Sequence, residues 1–263
     1  MKNLDKNMSK SIVMLCSDCY STTALYNYIS RFYTIEKVVV EEPLRGWTLA
    51  KRRLRKLGIV TVAGQVLFSI IVVGLLKVTG KKRVAEIKIR YQSDETSIPE
   101  SKKIRVPTVN DEQCAGLLKD IQPDIILVNG TRILSKRILE STNARIINMH
   151  TGITPMYRGV HGGYWALVKK DEEHCGVTVH LVDKGIDTGN VLYQARITIN
   201  HNDNFFTYPF LQFGEGIPLV KQVVDDINAG NLKMVSPPAP FSKLWYHPTI
   251  WQYCYHRFFR DIK

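Results

Sequence analysis

The chain has 263 residues, of which 44% are hydrophobic and 23% charged, with a formal net charge of +12. That length and balance exclude a disordered or fibrous chain and fit one globular body with a sizeable core, or one body plus a short tail. The charge is local: residues 45–90 hold twelve Lys or Arg against the single acid Glu86, a net +11, so the excess forms a patch rather than a general affinity for nucleic acid.

Residues 1–10 are polar and lack the apolar core of a signal peptide, and the five cysteines, an odd number, are scattered. A reducing cytoplasm is the expected setting. In chain order, residues 11–16 are predicted to form a buried strand, 21–32 a helix with Leu25, Tyr28, Ile29 and Phe32 on one side, and 35–40 a second strand. Cys16-Ser17-Asp18-Cys19 is a CxxC at a strand–helix turn, where a thioredoxin-like pair could sit. No second CxxC or nearby His completes a zinc set, so two reduced thiols and no metal are expected.

Residues 58–76 then run for 19 positions without a charge, flanked by Lys51-Arg52-Arg53-Leu54-Arg55-Lys56 and Lys81-Lys82-Arg83. The stretch borders on a membrane span in length, but strands of one sheet are predicted on both sides of it, which argues against a crossing. Two readings stay open. In the favoured one, a pair of helices covers the sheet or forms a homodimer interface. In the other, the segment is a peripheral patch dipping into the inner face of a membrane, its basic rim drawn to anionic lipid.

Beyond the insertion, residues 108–118 are predicted as a helix capped by Asn110 with Gln113 three places on, and 124–128 as a buried strand. Residues 145–149 read as strand, 161–170 as helix, 176–182 and 191–199 as alternating strands, and 217–229 as helix. This order predicts an α/β fold, a Rossmann-like, mostly parallel sheet with helices on both faces, its last strands turning back antiparallel. Residues 1–235 form the expected α/β domain, with an insertion at about 45–92. Residues 236–263, opening on Pro237-Pro238-Ala239-Pro240, form an aromatic-rich tail expected to pack on the body or on a partner.

In such sheets ligands gather at the carboxyl ends of strands, and Asn148 and His150 lie at such an end, pointing the same way by strand alternation. Asp187, in Gly185-Ile186-Asp187-Thr188-Gly189, follows His150 by 37 residues. An Asn amide and a His imidazole can both donate to the oxyanion of acyl transfer, and a carboxylate can orient the His and collect a proton. No Ser or Cys lies in a nucleophile context, so direct attack by the acceptor amine is expected.

The segments Asn148-Met149-His150-Thr151-Gly152-Ile153-Thr154-Pro155-Met156-Tyr157-Arg158-Gly159 and Gly176-Val177-Thr178-Val179-His180-Leu181-Val182, together with the Asp187 loop and Gln194, resemble the folate-dependent formyltransferase family. So does Asn129-Gly130-Thr131-Arg132-Ile133-Leu134-Ser135. The resemblance spans residues 123–198 and includes glycinamide ribonucleotide, methionyl-tRNA and amino-sugar enzymes. It implies that Asn148 and His150 stabilise the oxyanion and that Asp187 acts on His150 and the departing proton. It further implies that Arg132, Ile133, Leu134, Val182, Asp183, Gly185 and Ile186 hold the pterin of 10-formyltetrahydrofolate.

The departures from the family pattern narrow the acceptor. Residues 16–21 contain no glycine, which disfavours glycinamide ribonucleotide. The about 65 residues after the core leave no room for the barrel domain of methionyl-tRNA enzymes. Thr151 stands where a proline is common. The implied reaction is transfer of formyl from 10-formyltetrahydrofolate to the primary amine of an amino sugar, nucleotide-linked, or lipid-linked if the insertion touches membrane. The alternatives are hydrolysis of the formyl donor by the same residues, and a membrane-associated interaction protein that keeps the fold without turnover.

Overall fold

The computed structural model describes residues 10–44 and 46–263. A seven-stranded sheet has the order β3-β2-β1-β4-β5-β7-β8. Its strands are β1 (Ile12–Ser17), β2 (Ile35–Glu41), β3 (Lys103–Val106), β4 (Ile125–Asn129), β5 (Arg145–His150), β7 (Gly176–Leu181) and β8 (Val191–Arg196). The pairs β1–β2, β1–β4, β2–β3 and β4–β5 are parallel and β7–β8 is antiparallel, as the alternation of elements predicts. The chain divides into two compact units, residues 1–42, 94–148 and 220–233, and residues 43–93, 149–219 and 234–263.

In the first unit β1 and β4 are runs of Ile, Val, Leu and Met buried on both faces, the pattern a parallel sheet requires. Strand β3 escapes the sequence reading because Lys103-Ile104-Arg105-Val106 is short and half basic. Among the described residues it pairs with β2 alone, and an edge strand tolerates such charge. Helix α1 (Tyr20–Ser30) follows β1, and helix α6 (Glu112–Ile121) follows β3. The α6 cap is Asp111, whose side chain accepts from the Gln113 N–H, and not Asn110. Asn110 instead donates to the Ile133 carbonyl at 3.0 Å and accepts from the Ser135 N–H at 2.6 Å, tying down the loop after β4.

All five cysteines are free thiols. Cys16 lies inside β1, where burial pushes its thiol up to about 12, and Cys19 contacts Ser21 and Thr22 instead of Cys16.

The second unit carries the insertion as helices: α2 (Gly46–Leu57), then one apolar helix from Ile59 to Thr79, then α5 (Lys81–Arg90). The long helix comprises α3 (Ile59–Leu67), a π-helical stretch Phe68–Val73 and α4 (Gly74–Thr79). Only 22% of its 18-residue apolar window is buried, so it covers the body with one side and leaves the other exposed. Phe68 is its anchor, fully buried with ring centroids 4.8 Å from Phe205 and 5.2 Å from Tyr253. Burial of such a ring contributes on the order of 1.5–3 kcal/mol.

Helix α9 spans Tyr208–Ala229, starting well before the predicted residue 217. Pro218 reads from sequence as a first-turn residue, but it sits inside the helix. The aromatic tail supplies β9 (Leu244–Trp245), which pairs with β6 (Arg158–Gly159), and α10 (Ile250–Phe259), started by a Thr249–Gln252 capping box.

In the same unit His161 precedes helix α8 (Gly162–Val168) with its Nε2 2.9 Å from His247 Nδ1. Loss of water pushes His161 down to about 3, with His247 adding to the effect, and His247 down to about 4, with Arg53 adding. The unfolded chain titrates its histidines near 6.5, so below that pH it binds protons that the folded chain refuses. Stability is therefore expected to fall as pH drops from about 6.5 toward 4. His247→Phe should remove about one proton from the uptake on unfolding, read from the pH dependence of urea midpoints; unchanged uptake would show that this pair is not the source.

Candidate functional site

Strand β5 ends in Asn148-Met149-His150, with Asn148 half-buried and His150 buried. The turn that follows is fastened within the second unit. Thr178 Oγ1 on β7 donates to the Gly152 carbonyl at 2.8 Å and accepts from the Thr154 N–H at 3.1 Å. Gln194 on β8 donates to the Thr154 carbonyl at 2.8 Å, and Trp245 Nε1 to that of Met156 at 3.1 Å. These bonds present the Tyr157 carbonyl to His150 Nε2 at 2.7 Å.

The other ring nitrogen, Nδ1, lies 3.4 Å from Asp187 Oδ2. Both neighbours of His150 are thus acceptors. A neutral ring carries one N–H, so it always leaves one nitrogen lone pair facing an oxygen; the imidazolium satisfies both sides. Burial opposes that charge and is the stronger influence, holding His150 below its ordinary value, while Asp187 and the Tyr157 carbonyl pull the other way. The result is a ring poised to gain hydrogen bonding when it receives a proton.

Asp187 occupies left-handed backbone, φ 51°, in the turn between β7 and β8. Its Oδ2 accepts the Gly159 N–H at 2.9 Å, and its Oδ1 lies 3.6 Å from Nε2 of His180. Burial alone would raise this carboxyl; His180, His150 and the Gly159 N–H outweigh it and hold it at about 2. Asp187 is therefore an anion at neutral pH. Gly159 has φ 95°, and a Cβ there would lie 2.4 Å from the Trp245 carbonyl, so only glycine brings this N–H to the carboxylate.

His180 was not among the residues singled out by motif. The signals are its place inside the family-like segment 176–182 and on the strand that feeds the Asp187 turn, on the same face as Thr178. The turn is built locally: Asp183 Oδ1 accepts from the Gly185 N–H at 2.9 Å and from Thr188 Oγ1 at 2.7 Å, and Arg158 donates to the Ile186 carbonyl at 3.0 Å. Val182 and Ile186 are half-buried, and Asp183 and Gly185 are exposed.

In the first unit, the Arg132 side chain turns into the protein. Its Nη1 bonds Glu41 Oε2 at 3.0 Å and the Pro107 carbonyl at 2.8 Å, its Nη2 bonds the Glu42 carbonyl at 2.8 Å, and its N–H bonds Glu41 Oε1 at 2.6 Å. Leu134 is buried, whereas Ile133 is 59% exposed. The loop therefore offers a ligand its backbone and one apolar side chain rather than a guanidinium. Glu41 was likewise outside the sequence reading, since 91 residues separate it from Arg132.

Comparisons with known proteins bear on the family and the fold. Residues 68–208, just over half of the chain, match the formyl transferase family. A methionyl-tRNA formyltransferase from Thermodesulfovibrio yellowstonii is 32% identical over 143 residues, 54% of this chain and 45% of the relative. One from Kosmotoga olearia is 29% identical over 170 residues, 64% of this chain and 53% of the relative. The chain thus spans about half the length of the curated relatives it matches.

Among solved structures, glycinamide ribonucleotide transformylase 1 from Symbiobacterium toebii superposes with TM-score 0.57 at 16% identity, covering 93% of this chain and 99% of that one. A sugar N-formyltransferase from Shewanella sp. FDAARGOS_354 gives TM-score 0.54 at 15% identity, covering 88% and 74%. The mostly parallel sheet is shared with both, and with the match over residues 68–208 the chain belongs to the formyl transferase family.

Proposed function

We propose that this chain transfers formyl from 10-formyltetrahydrofolate to the primary amine of an amino sugar. The observation that carries the reading is the paired His150 and Asp187, a buried imidazole between two acceptors beside a fixed carboxylate. The folate co-substrate supplies the formyl group. Asn148 donates to the formyl oxygen as it gains negative charge, and His150 joins it once its bond to the Tyr157 carbonyl opens. The new amide C–N bond forms as the formyl C–N10 bond of the donor breaks; Asp187, already ionised, holds His150 and stabilises the proton that leaves the attacking nitrogen and ends on N10 of the departing tetrahydrofolate. The backbone of residues 132–134 with Ile133, and residues 182–186, are the proposed folate-holding segments; exposed Ile133 suits the apolar face of a pterin.

A nucleotide-linked acceptor is supported by a surface cavity of about 620 Å³ in the second unit, where Lys169, Lys170 and Lys243 lie beside Phe241, Trp245 and Tyr157. Cations and aromatic rings of this kind suit phosphates and a base. Tyr157 links the cavity to the site, since its carbonyl faces His150. The free cysteines fit a cytoplasmic setting.

The matched relatives are named methionyl-tRNA formyltransferases, which makes charged initiator tRNA the second acceptor to test. Formyl donor is incubated with a panel of nucleotide-linked amino sugars, lipid-linked amino sugars and methionyl-tRNA, and each acceptor is weighed by mass spectrometry. A formylated nucleotide-linked sugar is expected. Formylation of methionyl-tRNA alone would overturn the sugar assignment.

A further inference from the structure

The apolar helix Ile59–Thr79 breaks the usual pattern of a surface helix, because it is apolar on both sides. Its inner side, with Val62, Gln65 and Phe68 buried and Val72, Val73 and Leu76 half-buried, packs on the core of the second unit. Gln65 donates to the His247 carbonyl at 2.8 Å. Its outer side leaves Ile59 74%, Val60 69%, Ile70 69%, Leu75 62% and Val78 65% exposed. A soluble surface has no use for such a row, and contiguous patches of this kind mark interaction sites.

Helix α10 of the same unit continues the surface. Trp251, Tyr255, Phe258 and Phe259 recur at helical spacing and are exposed, with Phe258 and Phe259 at 77% and 78%. The Trp251 ring lies over Gly64, so closely that a Cβ there would be 2.2 Å from it. The aliphatic row and the aromatic row therefore adjoin.

Charge identifies the occupant. From Pro43 to Ala85 the chain contains no Asp or Glu. Arg55, Lys56, Lys77, Lys81 and Lys82 are exposed at or beyond the ends of the apolar row. A second copy of this chain would bring the same cations against them, and like charges around an interface oppose pairing. A bilayer containing anionic lipid matches both parts, with acyl chains under the apolar rows and head groups against the cations. Because the inner side of the helix is held by Phe68 and Gln65, the helix lies in the plane of the surface rather than across it. We infer that helix 59–79 and α10 together form a docking face for an anionic membrane surface. This inference stands independently of the reaction.

The test is flotation of the full chain, without detergent, with vesicles of phosphatidylcholine alone or mixed with phosphatidylglycerol, alongside light scattering of the protein in solution. Flotation with the mixed vesicles is expected, and it should weaken about tenfold or more at high salt. The double substitution Ile70→Glu/Phe258→Glu should abolish it at an unchanged melting temperature. Lys81→Glu/Lys82→Glu, which leaves the apolar rows intact, should lower binding to the anionic vesicles. Absence of flotation by the unaltered chain would overturn the inference, as would flotation that survives the apolar substitutions. A stable dimer dispersed by Ile70→Glu/Phe258→Glu, with no flotation, would give the face to a second copy.

Discussion

Asp187→Asn is expected to lower the rate of formyl transfer by about 10²–10⁴, the range of a lost acid–base group. The substitution keeps size and the possibility of accepting the Gly159 N–H, but it removes the charge that faces His150 Nδ1 at 3.4 Å. With Asn in place, the proton released by the attacking amine is no longer drawn to an anion, and the buried imidazole loses the partner that offsets its desolvation. His150→Ala should cost a similar factor. Asp187 also acts through the His150 that it holds, and groups that act as a unit are non-additive, so the double variant should be no slower than about the worse single variant. KM for the folate should move little, because neither side chain is assigned to hold the pterin. A double variant as slow as the product of the two single effects would show that His150 and Asp187 act separately.

The second large effect is structural. Glu41→Gln is expected to destabilise the first unit by about 3 kcal/mol, the cost of removing one member of a buried ion pair. Glu41 is 5% exposed and accepts from the Arg132 N–H, Arg132 Nη1 and the Val109 N–H, so a single carboxylate joins the end of β2 to the loop after β4. A neutral amide cannot accept at both ends and leaves Arg132 short of its counter-charge. The corresponding drop in melting temperature is about 6–12 °C, measurable by calorimetry. The folate KM should rise as well, since the same carboxylate holds the loop that carries Ile133. A melting temperature within error of the unaltered chain would mean that the Pro107 and Glu42 carbonyls alone satisfy the guanidinium.

The sequence was most legible where a run of residues reports on its own surroundings. Residues 12–16 and 125–128 are unbroken apolar runs, which in a chain of alternating elements can only be central parallel strands, and that is where they lie. Residues 176–181 and 191–196 alternate, and they form the antiparallel pair. The flanking residues make Asn148, His150 and Asp187 candidates, and the geometry brings His150 within 3.4 Å of Asp187.

What stayed hidden depended on contacts between distant residues. Local composition says nothing of Glu41 meeting Arg132, or of the turn after β7 folding so that Asp187 returns to His180. The start of α9 was concealed by Pro218, which mimics a first-turn proline. Helix α10 was concealed because its aromatic content reads equally well as an irregular packed tail. The apolar stretch 58–76 misled in the opposite direction. Its composition is that of a core helix, and only the structure shows that its outer side is exposed.

The central claim, that His150 and Asp187 serve transfer of formyl to an amine, is tested most directly by following isotope from the formyl carbon of 10-formyltetrahydrofolate in a single turnover with the preferred acceptor. Label recovered in the amide of the acceptor, in step with tetrahydrofolate release and lost in Asp187→Asn, is the result expected. Label recovered as free formate while the acceptor stays unmodified would contradict it and make water the true acceptor.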